Sequence, residues 1–318
     1  MILPNSRSGF SRKKPGGRPW ARIIAISGAL LVVAAVVFVF IGKKDQLFGH
    51  VVQVAGEHEQ SIHELWENRQ YEEINELCES VLKEQPLYYD ALVFNGFSYF
   101  YRGAAMYSLE DKIPMFDSAI VNLRKAMLHK NNGLKGKVEY VLGKAYYQKG
   151  KYYTDLAIRY LESSMESGYI GDDTYEYLGL AYADINDFQR SAEYYLNAIE
   201  KNPTDTLFMV LAQTYYKMDD IAKAEEYLQW TLNRTSDFTI EQKSRYLLGR
   251  IYLDQGEYLK AEDQYKKILE KNVKSADAYY YLGVIYEEME DTTKARFHWR
   301  KALEVDPYHY GARLKLYS

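Results

Sequence analysis

A pattern of bulky and small residues recurs about every 34 residues along most of the chain. It consists of a bulky residue, a leucine, a small residue and a tyrosine at spacings of three, one and three, as in Tyr279-Leu282-Gly283-Tyr286. These spacings put the side chains on one face of an α-helix. The small residue recurs at 96, 143, 179, 212, 249 and 283. One such unit cannot bury its apolar face alone, so the chain is expected to fold as a stack of similar units.

A second pattern follows each copy of the first. It has a small residue, a bulky residue four positions later and usually another small residue after three more, as in Ala295-Trp299-Ala302. Asn186-Asp187 and Asp219-Asp220 supply turn and cap chemistry between the two patterns. Pro307 ends one unit because proline cannot continue a helix. Each unit is therefore predicted to be a helical hairpin, in which the small residue allows the two helices to approach closely.

Together the two patterns resemble the tetratricopeptide repeat (TPR), and the resemblance covers about residues 55–318. It implies an all-α fold, a right-handed TPR superhelix of about seven helix hairpins. The 32 tyrosines are then mostly core residues, and Cys78 is also expected in the core. The predicted units are 55–88, which is degenerate, 89–135, 136–171, 172–204, 205–241, 242–275 and 276–309, followed by a C-terminal capping segment.

The unit 89–135 has extra residues between its helices, Arg102–Phe116. Insertions lie at the edge of a solenoid and often contact a partner. The alternative is that the extra residues lengthen the helices and leave a tolerated loop.

The N-terminal residues differ in composition from the rest of the chain. Residues 1–44 contain eight Lys and Arg residues and no acid, and 1–22 are predicted to be a basic disordered tail. Residues 23–41 hold no charge and would span about 28 Å as a helix, which predicts a single transmembrane helix. A cleaved signal peptide is the alternative, but the apolar stretch is long and no A-x-A-like site follows it. Residues 42–54 would be a linker.

The charges around this segment predict its orientation. Six basic residues precede it and two follow it, so the positive-inside rule puts the N-terminus in the cytoplasm. We expect a single-pass protein of the bacterial inner (cytoplasmic) membrane with its TPR domain in the periplasm; a eukaryotic lumen or exterior is the other option. Residues 45–318 carry a net charge of −12, which argues against nucleic acid as a partner.

Motifs for catalysis, metals and cofactors are absent from the sequence. His58 and His63 are five residues apart, which would turn them about 140° from each other on a helix and away from a shared metal. Neither a P-loop nor a G-x-S-x-G motif occurs. We therefore expect no enzyme activity, no cofactor and no metal site.

The TPR resemblance implies a concave groove lined mainly by positions 2, 5, 9, 12 and 13 of each first helix. Aromatic residues and arginine dominate binding hot spots, and Lys or Arg beside Tyr suits a peptide with acidic and apolar side chains. The alternative is that several of these tyrosines pack between adjacent helices. The Lys/Asn pairs with which chaperone-binding TPR domains grip a C-terminal carboxylate do not occur at the matching positions. The predicted ligand residues are Phe97, Phe100, Tyr101, Lys137, Tyr140, Lys144, Tyr147, Met209, Gln213, Tyr216, Lys243, Tyr246, Arg250 and Tyr280.

Three functions compete at this point. The first is a membrane-tethered scaffold or adaptor in a bacterial envelope assembly, similar to translocon-associated TPR proteins and to TPR subunits of secretion or flagellar-motor complexes. Its partner protein would bind in the concave groove, and the 102–116 insertion is a second candidate surface. The second is a periplasmic holdase chaperone at the translocon. The third, an enzyme with an unrecognised site, has no support in the sequence.

Overall fold

A computed structural model describes residue 59 and residues 61–129 and 133–317. The chain divides into two compact units, Met1–Arg69 and Gln70–Ser318. In the first unit, residues 61–67 are helical. The predicted tail 1–22, transmembrane helix 23–41 and linker 42–54 lie outside the described residues. Within the described ranges, none of the helices combines the length and the apolar character needed to cross a membrane.

The described part of the second unit is built from α-helices and has no β-strand. This confirms the all-α repeat fold predicted from the sequence. Its helices are α1 (Tyr71–Glu84), α2 (Tyr89–Ala105), α3 (Leu109–Ala126), α4 (Lys135–Gln148), α5 (Thr154–Glu166), α6 (Thr174–Asp184), α7 (Phe188–Lys201), α8 (Asp205–Lys217), α9 (Ile221–Arg234), α10 (Phe238–Asp254), α11 (Tyr258–Lys271), α12 (Ala276–Glu288), α13 (Thr292–Val305) and α14 (Tyr310–Tyr317).

The helices pair as consecutive hairpins. In each hairpin from α2–α3 to α12–α13 the two helices pack on each other, and the second helix also packs on the first helix of the next hairpin. Neighbouring first helices contact one another as well, such as α8 and α10. We call the surface formed by α2, α4, α6, α8, α10 and α12 the first-helix face. At the two ends, α1 packs on α2 and α14 packs on α13.

The small residue of each first helix allows the close approach predicted from the sequence. At Gly283 an added Cβ would lie 2.3 Å from Nε1 of Trp299, the bulky residue of the facing helix. At Gly143 it would lie 2.6 Å from Cγ of Leu161. Real Cβ atoms do not approach other atoms so closely, so the hairpins would have to open to accept a larger residue.

The turns inside the hairpins share a left-handed residue four positions after the repeat tyrosine. Its φ is positive in five hairpins, at Gly150, Asn186, Asp219, Gly256 and Glu290. The next residue caps the second helix in three of them; the Asp220 carboxylate, for example, accepts a hydrogen bond from the Lys223 N–H. The predicted turn and cap roles of the Asn-Asp and Asp-Asp pairs are therefore confirmed.

The repeat tyrosines pack between the helices, as the repeat predicts. Tyr182 stacks on Tyr194 of the facing helix with ring centroids 5.5 Å apart, and Tyr215 stacks on Tyr227 at 5.6 Å. Cys78 is fully buried, and burial raises the pKa of its thiol to about 12. The burial of Cys78 confirms its predicted core role. Of the 32 tyrosines eight are buried, and most of the others are half-buried, so the tyrosine excess is only partly in the core.

The 102–116 segment is mostly helical. The first helix α2 continues to Ala105, and α3 begins at Leu109, where the Ser108 hydroxyl accepts a hydrogen bond from the Asp111 N–H. Phe116 is fully buried and its ring lies 5.8 Å from that of Phe100, which holds the lengthened helices together. The extra residues therefore lengthen both helices, and only residues 106–108 connect them.

Candidate functional site

A cavity of about 500 Å³ opens on the first-helix face between α8, α10 and α12. Five of the predicted ligand residues meet there: Gln213, Tyr216, Lys243, Tyr246 and Arg250. The remaining lining residues are Lys217, Leu247, Asp277 and Tyr281. We call this set of nine residues the α10 cavity.

Two tyrosines form the aromatic wall of the α10 cavity. The rings of Tyr246 and Tyr281 are 6.4 Å apart, and Tyr281 stacks on the buried Tyr265 at 5.1 Å. Tyr246 also hydrogen-bonds the hydroxyl of Ser275, the N-cap of α12. Burial raises the pKa of both Tyr246 and Tyr281, so both hydroxyls stay protonated at neutral pH. The wall is therefore held in place by its own packing and carries hydroxyl groups for hydrogen bonding.

Arg250 is oriented by neighbours but remains accessible. Its guanidinium carbon lies 5.7 Å from the centre of the Tyr216 ring. The Tyr216 hydroxyl donates to the Asp254 carboxylate at 3.3 Å, and Arg250 Nε lies 4.0 Å from the same oxygen. More than half of the Arg250 side chain is exposed, so its outer nitrogens can still receive an anionic ligand.

Two lysines contribute exposed cations to the α10 cavity. Lys217 at the end of α8 and Lys243 near the start of α10 are both exposed. Neither forms an ion pair with any residue in the described ranges. The cavity rim therefore presents unneutralised positive charge.

The one carboxylate in the lining, that of Asp277, is engaged by the residue that precedes the last helix. His309 Nε2 lies 3.0 Å from Asp277 Oδ1, and His309 Nδ1 accepts a hydrogen bond from the Ala312 N–H. Because Nδ1 is an acceptor, the ring hydrogen is on Nε2 and is donated to Asp277. This hydrogen bond holds Asp277 at the α14 side of the cavity.

Lys144, a predicted ligand residue on α4, is neutralised inside the fold. Its ammonium group lies 2.6 Å from Asp173 Oδ2 and 3.1 Å from the Tyr140 hydroxyl, which itself donates to Asp173 at 2.5 Å. The ammonium also lies 4.8 Å from the centres of the Tyr140 and Tyr177 rings. Lys144 and Tyr140 are both buried, so they join α4 to the start of α6 and present no free charge to a ligand.

The other predicted ligand residues lie outside the α10 cavity for identifiable reasons. Phe97, Phe100 and Met209 are buried in the core. Four more have partners on neighbouring segments: Tyr101 stacks on Tyr71, Tyr147 packs edge-on against Tyr177, Tyr280 packs on His309, and the Lys137 ammonium lies 5.9 Å from the Tyr169 ring. The predicted alternative, in which several of the tyrosines pack between adjacent helices, fits Tyr101 and Tyr147, whereas Lys137 is exposed.

Sequence reasoning missed four residues of the cavity. Lys217 and Asp277 occupy positions thirteen and two of their first helices, and both positions belong to the predicted groove set, so they could have been included. Leu247 and Tyr281 occupy position six, which the positional rule omits. Their exposure to the cavity depends on the packing of α10 against α12. The described residues contain no cluster of metal-ligating side chains.

Comparison with known proteins agrees with the repeat geometry. Three tetratricopeptide repeat models match this chain, at residues 140–206, 242–270 and 276–309. The C-terminal part of a TPR repeat-containing protein from Cytophaga hutchinsonii has a similar fold, with a TM-score of 0.62 and 18% identity over 82% of this chain and 100% of that one. YrrB, described as a TPR protein with an unusual peptide-binding site, aligns with a TM-score of 0.49 and 19% identity over 61% of this chain and 96% of that one.

A curated relative matches part of the chain. The anaphase-promoting complex subunit CDC16 of Saccharomyces cerevisiae is 26% identical over 141 residues, which are 43% of this chain and 17% of that protein. The chain thus spans only a small part of this relative. The three model matches and the stacked helical hairpins show that this chain contains tetratricopeptide repeats.

Proposed function

We propose that this protein is a membrane-tethered scaffold that binds a peptide or helix of a partner protein on its first-helix face, as a subunit of a bacterial envelope assembly such as a secretion- or flagellar-motor-associated complex. The TPR fold itself indicates a protein–protein interaction scaffold. The observation that carries the proposal is the α10 cavity, which brings aromatic and cationic side chains from three helices to one accessible site.

The composition of the α10 cavity supports binding of a protein segment. Tyr and Arg are among the side chains that contribute most to protein interfaces, and tyrosine offers a large contact area at low entropic cost. Tyr246 and Arg250 are both held by neighbours before any ligand arrives. Preorganised side chains lose little freedom on binding, which favours affinity.

The sequence of the N-terminal region supports the tether. The uncharged segment 23–41 has the length of a membrane span and is preceded by six basic residues. Washing membranes with alkaline carbonate tests this: the full chain should stay in the pellet, and a chain lacking 1–41 should be released. Release of the full chain would contradict the tether and leave the binding proposal intact.

Site-specific photo-crosslinking tests the binding site. A photoreactive residue would replace Gln213 or Lys243, which are exposed at the α10 cavity, in cells that make the protein at its native level. Replacement of Tyr152, which is almost fully exposed on a hairpin turn, is the control. One dominant adduct at Gln213 and Lys243 but not at Tyr152 is expected.

The adduct pattern also separates the competing functions. Many different exported proteins crosslinked at Lys243 would favour the holdase over the fixed assembly subunit. Absence of an adduct at both cavity positions would contradict binding at this site.

A further inference from the structure

The α10 cavity has a charge opposite to that of the protein around it. Residues 45–318 carry a net charge of −12, yet the cavity is lined by three cations and one acid. That acid, Asp277, is hydrogen-bonded to His309, and Arg250 Nε lies 4.0 Å from a second carboxylate, that of Asp254. The other two cations, Lys217 and Lys243, are exposed and form no ion pair in the described chain, so the positive charges at the site outnumber the negative ones. A local positive site in an acidic protein selects for a negatively charged partner group.

The cations alternate with aromatic surface along α10. Lys243, Tyr246 and Arg250 follow one another at spacings of three and four, so they lie in a row on one helical face about 10 Å long. Tyr281 extends the apolar surface beside Tyr246, and Lys217 adds a third cation from α8. A ligand that matches this row carries carboxylates on both sides of an apolar side chain.

We propose that the α10 cavity recognises an acidic peptide segment in which Asp or Glu residues flank an aromatic or aliphatic residue. This inference rests on the proposed function, because it names the class of partner segment that the same site takes. The carboxylates pair with Arg250, Lys243 and Lys217, and the apolar side chain packs on Tyr246 and Tyr281. Arginine pairs with a carboxylate through two parallel hydrogen bonds, which gives the site directional preference as well as charge.

Other cations of the first-helix face are placed differently. Lys144, the buried cation of α4, is neutralised by Asp173, whereas Lys137 of α4 is exposed with its ammonium group 5.9 Å from the centre of the Tyr169 ring. In the α10 cavity, by contrast, cations from α8 and α10 lie together beside several tyrosine rings. Nucleic acid is a poor alternative occupant, because three cations in a body of net charge −12 cannot neutralise a run of backbone phosphates.

Selection from a random displayed-peptide library tests the proposal. The full-length protein in detergent is the target, and a Lys243→Gln/Arg250→Gln variant is selected in parallel. The Lys266→Gln/Arg296→Gln variant is the matched control, since it removes two exposed cations from the second helices α11 and α13. Circular dichroism checks that all three proteins fold alike.

The wild-type protein and the control variant should enrich peptides with Asp or Glu beside Phe, Tyr or Leu. A selected peptide should bind the cavity variant about tenfold more weakly, and its Glu→Gln analogue should bind the wild-type protein more weakly to a similar degree. Enriched peptides that are neutral and bind the cavity variant equally well would overturn the acidic preference while leaving groove binding in place. If the control variant loses as much affinity for the selected peptide as the cavity variant, the peptide is bound by unspecific charge attraction. That result would also overturn the acidic preference of the cavity. Failure to enrich any peptide would contradict the proposed function itself.

Discussion

The Lys144 ammonium lies 2.6 Å from the Asp173 carboxylate, and this ion pair joins α4 to the residue that precedes α6. Only a tenth of the Lys144 side chain is exposed, and three aromatic rings surround its ammonium group. A buried ammonium group needs its acidic partner, because it has lost most of its hydration. The pair therefore adds an ionic contact, which depends on one carboxylate, to the helix packing between two hairpins.

Replacing Asp173→Asn should lower the free energy of unfolding by about 1–3 kcal/mol, because it leaves a buried cation without a counter-charge. Asp172→Asn is the matched control at the preceding position, where a fully exposed carboxylate pairs with Lys201 at 3.3 Å. Such a surface pair contributes about 0–1 kcal/mol. Urea unfolding followed by circular dichroism measures both, and equal shifts for the two variants would contradict the structural role of the buried pair.

Replacing Gly283→Ala should destabilise the protein by about 1–3 kcal/mol, because the new methyl group would overlap Trp299. The hairpin α8–α9 has Ala212 and Leu228 at the corresponding positions, and both are fully buried. The double variant Gly283→Ala/Trp299→Leu should therefore lose less stability than the two single changes added together. Gly133→Ala is the control, since an added Cβ there meets no atom within 4 Å. Additive losses in the double variant would contradict the proposed overlap.

Replacing Glu290→Gly should raise the free energy of unfolding by about 0.5–1 kcal/mol, because Glu290 has φ of 60° in a turn where Gly150 and Gly256 occupy the matching positions. Asn186→Gly should gain less, since asparagine tolerates the left-handed conformation better than glutamate. Thermal unfolding compares the two variants. A loss of stability at position 290 would mean that the glutamate side chain makes a stabilising contact.

Replacing His298→Tyr should make stability less sensitive to acid. His298 stacks on Tyr286 at 5.2 Å, and its buried Nδ1 has no hydrogen-bond partner in the described structure. Burial lowers its pKa, with Lys266 and Lys294 acting in the same direction and Glu262 against it. The unfolded chain therefore binds the proton more tightly, and stability is lost as the pH falls below about 6.5.

Tyrosine is the natural replacement at this position, because Tyr194 and Tyr227 stack in the same way in two other hairpins. Urea midpoints at pH 7.5 and 5.5 should differ less in the variant than in the wild-type protein. If the urea midpoint changes equally with pH in the two proteins, protonation of His298 does not cause the loss of stability in acid.

The sequence predicted the cavity residues only in part. Lys243, Tyr246 and Arg250 were found because their positions in the repeat face one side of a first helix. The same positions also selected Lys144 and Tyr140, since the positional rule contains no information about Asp173, a residue far along the chain that neutralises the lysine. Leu247 and Tyr281 were missed because their exposure depends on how α10 lies against α12.

The sequence by itself determined the repeat, the hairpin architecture and those core positions that belong to the repeat pattern. These depend on local spacings, such as the small residue at 283 and the tyrosine at 286, that act within one helix and its immediate neighbour. The tertiary structure decided which cations of the first-helix face are neutralised and which remain free, as the contrast between Lys144 and Lys243 shows. The physical reason is that whether a cation is neutralised depends on every group packed around it. Hairpin stacking brings those groups together from residues that are distant in the chain.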